Sequence, residues 1–269
     1  MTKPQTQIPG DNPTKGQVNQ KPHRWGKVVR ADDPEAKTFL QGPQRRISEF
    51  WQAFRMFWEY IWGFRTLHFV GPCVTVFGSA RFAPGSKWYQ LGVDVGAALA
   101  KAGFTVMTGG GPGIMEAANR GAKEAGGKSL GCNILLPREQ APTPYLDQFI
   151  DFDYFSVRKT MLIKYSYAFF VLPGGLGTLD ELFEITTLVQ TGKVKEFPVV
   201  LMGVEFWQPL LDFMRDKLVP EGTIEQADID RMLVTDDIEK AVGEVTKIGM
   251  HRFGLSYGPK AKRWWFLGE

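Results

Sequence analysis

A chain of 269 residues with 43% hydrophobic and 23% charged side chains has the composition of a globular protein of one large domain or two small ones. No run of about 18 uncharged apolar residues is present, which excludes a membrane-spanning helix, and the opening MTKPQTQIPGDNPTKG lacks the apolar centre expected of a signal peptide. Residues 1–46 hold nine Lys/Arg against four Asp/Glu, so the overall charge of +3 is a basic tail of +5 on a body of −2, which argues against a nucleic-acid-binding face on the body.

Residues 1–45, rich in Pro, Gln, Asn and Lys, are expected to be a disordered tail. The domain proper is expected over 46–269. In RISEFWQAFRMFWEYIWGFRT (46–66) apolar residues recur at 47, 50, 51, 54, 58 and 61, with Glu49, Gln52 and Glu59 off that face. This is helical spacing, and eight aromatics widen the stripe, so a helix packed on the main domain or on a sister subunit is expected. From residue 73 the pattern alternates. CVTVF, FTVMT, SLGCNILL, FIDFDYF, YAFFVL and PVVLMG read as strands. SKWYQLGVDVGAALAKAG, GIMEAANRGAKEAG, SVRKTMLIKYS, TLDELFEITTLVQTG, a stretch from about Phe206 to Val219, and IEKAVGEVTKI read as helices. Continuous apolar strands between amphipathic helices predict an α/β, Rossmann-like, doubly wound parallel sheet in a single domain. The two cysteines, Cys73 and Cys132, fall in strands, which predicts buried, reduced thiols and a cytoplasmic protein. The histidines His23, His68 and His251 show no zinc spacing.

In such sheets ligands bind beyond the carboxyl ends of the strands. Three of those ends are unusual: VFGSAR (76–81), MTGGGPGIME (107–116) and LPGGLGTLDELFE (172–184). Glycines after a strand let a ligand reach backbone N–H groups, and a following helix adds unpaired donors and partial positive charge, a combination that suits phosphate. Neither the dinucleotide fingerprint nor the P-loop is present, so a monophosphate is the simplest ligand. Glu116 opens the helix after one glycine loop. Arg158 and Lys159 start another helix and can reach toward an anion. Glu181 has two readings: a capping-box partner of Thr178, or a carboxylate that orients water beside a sugar, with Glu184 one turn on.

Three motifs, GGGPGIME at 109–116, VRKTM at 157–161 and PGGLGTLDE at 173–181, resemble the LOG ("lonely guy") family. The likeness covers roughly residues 70–250, and its most specific part is P-G-G-x-G-T-x-x-E. It implies a Rossmann-like homo-oligomer, dimer or higher, that hydrolyses nucleoside 5′-monophosphates, cytokinin riboside monophosphates among them, to free base and ribose 5-phosphate. It implies that Gly174, Gly175, Leu176, Gly177 and Thr178 hold the phosphate, and that Arg158 and Glu181 are catalytic. Gly78, Ser79, Gly109, Gly110, Gly111, Gly113, Glu116 and Lys159 would contact substrate. No cofactor or metal is implied. Met161 lies one position earlier than in the R-K-x-x-M of short plant members, and Glu116 stands where they have glycine, so the sequence looks more like the longer bacterial branch. Such proteins are often labelled lysine decarboxylases, but no lysine follows a histidine here. Two alternatives remain: a carrier of a nucleotide or of molybdenum cofactor without catalysis, and a nucleic-acid-associated protein acting through its tail.

Overall fold

The computed structural model describes residues 45–135, 142–194 and 197–253. The expected tail lies outside them apart from Arg45, and so does the basic, aromatic segment 259–269. Seven strands form one sheet: β1 (Cys73–Phe77), β2 (Thr105–Thr108), β3 (Ser129–Ile134), β4 (Gln148–Phe152), β5 (Ser166–Val171), β6 (Val199–Met202) and β7 (Met232–Thr235). Their order is β4-β3-β2-β1-β5-β6-β7 and every pairing is parallel. The helices are α1 (Arg46–Leu67), α2 (Lys87–Lys101), α3 (Ile114–Glu124), α4 (Phe155–Lys164), α5 (Leu176–Gln190), α6 (Val204–Phe213), α7 (Gln226–Asp230) and α8 (Ile238–Phe253), with a π-helical turn at Met214–Leu218 after α6.

The strands read as unbroken apolar runs because both faces are covered. In β5 successive side chains part company. Ala168 and Phe170 join Val74, Val76, Val106 and Val200 in one core, while Phe169 and Val171 join Met107, Leu130 and Ile150 in the other. Phe169 and Phe170 are both fully buried, each contributing roughly 1.5–3 kcal/mol of transfer free energy. On one face α2 and α3 approach closely through glycine. A Cβ at Gly96 would stand 2.0 Å from Ala118 O, and one at Gly121 1.9 Å from Val93 O.

The doubly wound sheet matches the sequence expectation, and three details differ. Strand β7 and the short α7 were not anticipated, because four residues, MLVT, are too few to display a period. The helix expected from Phe206 begins at Val204 and passes into the π turn. The third difference concerns α1. It docks through Tyr60, Gly63, Phe64 and Leu67, not through its apolar stripe. Ile47, Phe50, Trp51, Phe54 and Trp58 are between 40% and 73% exposed. Among the described residues, the apolar side chains of α1 that join the core belong to its last two turns.

The strand order reverses beside β1. Strands β2 to β4 are laid to one side of it and β5 to β7 to the other. The carboxyl ends of β1 and β5 therefore border the crevice where helices on opposite faces diverge, which is where an open α/β sheet takes its ligand.

Candidate active site

The three glycine-bearing loops meet at that crevice. Ser79, after β1, donates its N–H to Pro173 O (3.1 Å), and its own carbonyl accepts from the N–H of Ile114 (2.9 Å). Its hydroxyl accepts from the N–H of Arg81 (3.1 Å). Ser79 is thus a stitch that holds the end of β1 to the turn after β5 and to the start of α3. Gly78 is needed because a Cβ there would lie 2.4 Å from the Ile114 side chain.

The second loop is held from below by a buried polar chain. The Gly110 N–H donates to Thr108 Oγ1 (2.9 Å), Thr108 Oγ1 donates to Asn119 Oδ1 (2.5 Å), and Asn119 Nδ2 donates to Ser129 Oγ (2.8 Å). Gly113 has φ +70° and touches the Ser79 carbonyl, so only glycine fits. At Gly109 a Cβ would collide with Arg158 Nη2 at 2.7 Å and with Met115 Sδ at 2.7 Å. The guanidinium of α4 therefore lies directly on this loop.

The third loop differs. Helix α5 starts at Leu176, with Gly175 as its N-cap and no side chain bonded to its first turn. Gly174 is crowded, since a Cβ would stand 2.1 Å from Thr178 Oγ1. Cβ atoms at Gly175 and Gly177 would meet no protein atom within 4 Å. Among the described residues nothing asks for glycine at those two exposed positions. The capping-box reading of Thr178 and Glu181 is not realised. Thr178 is already the third residue of the helix, its N–H bonded to Gly175 O, and Glu181 is a turn too far along to cap it.

Glu181 instead faces Arg158. Arg158 Nε donates to Cys132 O (2.9 Å) and Nη1 reaches Glu181 Oε1 at 3.4 Å, with both side chains buried. Glu181 Oε2 is buried without a hydrogen-bond partner. Burial pushes the Glu181 carboxyl up to about 6, helped by Glu184 and Asp180 and opposed by Arg158 and Lys159. Burial also pulls Arg158 below its ordinary value, with Glu181 pulling back. A pair at 3.4 Å with one buried carboxylate oxygen unused is poorly explained as a structural ion pair, because the glutamate is left half satisfied.

Two expected substrate contacts also make contacts within the chain. Glu116 Oε1 accepts from the buried Tyr89 hydroxyl (2.8 Å), which links α3 to α2 and, with burial, pushes Tyr89 up to about 12. Lys159 Nζ sits 2.7 Å from Asp180 Oδ2 and 2.8 Å from Glu184 Oε2. Leu176, at the start of α5, is 86% exposed. Asn119 was not singled out in the sequence, and Cys132 was read there only as a buried thiol. An asparagine inside an amphipathic helix was the available signal for the first. The second contributes only its carbonyl, which sequence cannot reveal. Among the described residues no cluster of His, Cys, Asp or Glu is arranged to hold a metal, and no helix is long and apolar enough to cross a membrane.

Fold and site define a Rossmann-like α/β protein with a buried glutamate–arginine centre at its topological switch point. The family described as "Possible lysine decarboxylase" matches residues 115–245. Cytokinin riboside 5′-monophosphate phosphoribohydrolase of Rhodococcoides fascians is 31% identical over 178 residues, 64% of this chain and 88% of that protein. The protein of the same name from Mycobacterium tuberculosis is 35% identical over 163 residues, 57% of this chain and 82% of that one. Among solved structures, the X-ray structure of TM1055 aligns at a TM-score of 0.50 and 26% identity, covering 66% of this chain and 99% of that one. The chain belongs to this family, the LOG family whose motifs it carries. The decarboxylase wording finds no counterpart in the site, where the nearby lysine, Lys159, is tied up by two carboxylates.

Proposed function

We propose that this protein hydrolyses the N-glycosidic bond of nucleoside 5′-monophosphates, AMP-like nucleotides and cytokinin riboside monophosphates among them, to free base and ribose 5-phosphate. The observation that carries the reading is the buried, half-satisfied Glu181 facing Arg158, one turn inside a helix whose exposed N-terminus is built from glycines the chain does not otherwise need. The names of its relatives point the same way.

In this reading the 5′-phosphate lies against Gly174–Thr178, on the positive end of α5. Gly175 and Gly177 leave room for its oxygens. The sugar then extends toward Glu181. Ionised Glu181 orients a water and takes its proton as the oxygen bonds to C1′. The C1′–N bond breaks with its electron pair passing to the base, which picks up a proton from solvent. Negative charge beside C1′ steadies the oxocarbenium character of that transition state. Arg158 steadies Glu181 and the anionic parts of the substrate. Gly78, Ser79, Gly109, Gly110, Gly111, Gly113 and Glu116 shape the walls.

Purified protein incubated with AMP, GMP, CMP and isopentenyl-adenosine monophosphate is expected to release free base, measured by chromatography. Turnover should fall as pH drops through about 6, where Glu181 takes up a proton. Glu181→Gln should lower turnover by about 100-fold or more with nucleotide binding kept. Binding without release in the wild type would favour a carrier instead.

We further propose self-association through α1 and a cytoplasmic location. Ile47, Phe50, Phe54 and Phe57 recur at alternating three- and four-residue steps, a seam that fits a second helix of the same kind. Cys73 and Cys132 are free and buried, in keeping with a reducing compartment.

A further inference from the structure

Lys159 stands next to the Glu181–Arg158 centre and is paired with two of the protein's own carboxylates. It projects from α4, directly after Arg158, and its ammonium group lies between Asp180 and Glu184 of α5 at 2.7 and 2.8 Å. Those acids sit one residue before and three residues after Glu181 on the same helix. Three carboxylates within five residues would repel one another around a buried site, and the lysine meets the outer two. Its side chain is mostly buried, at 15% exposure, while Asp180 is 58% exposed, so the cation is anchored and the acid reaches to it.

We propose that Lys159 is a positioning residue: by pairing with Asp180 and Glu184 it offsets the negative charge flanking Glu181 and locks α4 onto α5 so that Arg158 faces Glu181. It is not a ligand of the substrate phosphate. This rests on the hydrolase reading for its consequence, though not for its geometry. The charged groups around Glu181 are Arg158 and Lys159 from α4 and Asp180 and Glu184 from α5. The two cations hold its carboxyl down and the two acids push it up. Removing Lys159 must then shift the Glu181 titration upward, and removing its two partners must shift it downward. A phosphate-binding lysine at the same place predicts the same signs, and it is told apart by a loss of ribose 5-phosphate affinity in Lys159→Met.

The experiment is a 13C NMR titration of the Glu181 carboxyl in the ligand-free, full-length protein, its signal assigned by its loss in Glu181→Gln. Lys159→Met should raise the midpoint by roughly one pH unit. Lys159→Arg should restore it, and Asp180→Asn/Glu184→Gln should lower it. Affinity for ribose 5-phosphate, measured by calorimetry, should change little in Lys159→Met. If the midpoint stays put in both Lys159→Met and the double variant, the proposal is overturned. It is equally overturned if Lys159→Met weakens ribose 5-phosphate binding by about tenfold or more, the size of a lost charged hydrogen bond. Should Lys159→Met not fold, the double variant decides alone. Absence of base release by the wild type would sink the hydrolase reading while leaving this titration to judge Lys159.

Discussion

Gly174 and Gly175 are neighbours with opposite reasons for being glycine. The first is packed against Thr178 and the second faces open space. Gly174→Ala should therefore destabilise the protein by about 1–3 kcal/mol, the usual cost of overpacking. Gly175→Ala should leave stability within about 0.5 kcal/mol, because its φ of −98° is open to any residue. Gly175→Ala should nonetheless raise the KM for AMP, since its methyl group would stand on the proposed path of the phosphate. Thermal unfolding and steady-state kinetics on the two variants separate the roles. Equal destabilisation of both would remove the argument that Gly175 serves a ligand.

At the scale of elements, α1 and α4 form a working unit. Helix α4 begins at Phe155 with no side chain of its own capping it. Glu59, on α1, accepts from the N–H groups of Asp153 (2.5 Å) and Tyr154 (3.3 Å) and so serves the same end from 94 residues away. Tyr60 adds a contact of 3.2 Å with Thr160 Oγ1. Because Arg158 lies one turn into α4, the seat of α1 bears on the site. Glu59→Ala should cost about 1–2 kcal/mol, as the loss of a cap does, and should lower kcat more than it raises KM. Denaturant unfolding and kinetics check this. Unchanged kcat would detach α1 from the site. The aromatic helix was visible in the sequence, and its docking face was not. The stripe at 47, 50, 51, 54 and 58 was the stronger apolar signal, yet the residues that dock are Tyr60, Gly63, Phe64 and Leu67. Periodicity reports which side of a helix is apolar, not how far along its length the partner extends.

For the whole molecule, seven of the twelve exposed large hydrophobic side chains among the described residues lie on α1, and apolar surfaces of that kind mark association sites. Trp51→Glu/Trp58→Glu should reduce the mass measured by light scattering to that of one chain without unfolding the sheet, since neither side chain belongs to the core. A wild-type protein already monomeric at micromolar concentration would rule out the stripe as a self-association surface.

The sequence by itself determined the parallel doubly wound sheet, because strands covered on both faces must be apolar throughout and amphipathic helices alternate with most of them. It also marked all three glycine loops, since a backbone that turns sharply or is closely approached cannot carry side chains. Tertiary structure alone decided which glycines answer to the chain and which do not: Gly109 yields to Arg158 and Gly113 to Ser79, whereas Gly175 and Gly177 yield to nothing among the described residues. It alone separated Glu181 from its reading as a cap, because the start of α5 depends on where the turn after β5 is stitched to Ser79. And it alone gave Lys159 to Asp180 and Glu184, contacts between helices whose relative position is set by packing across β5 and by no local spacing.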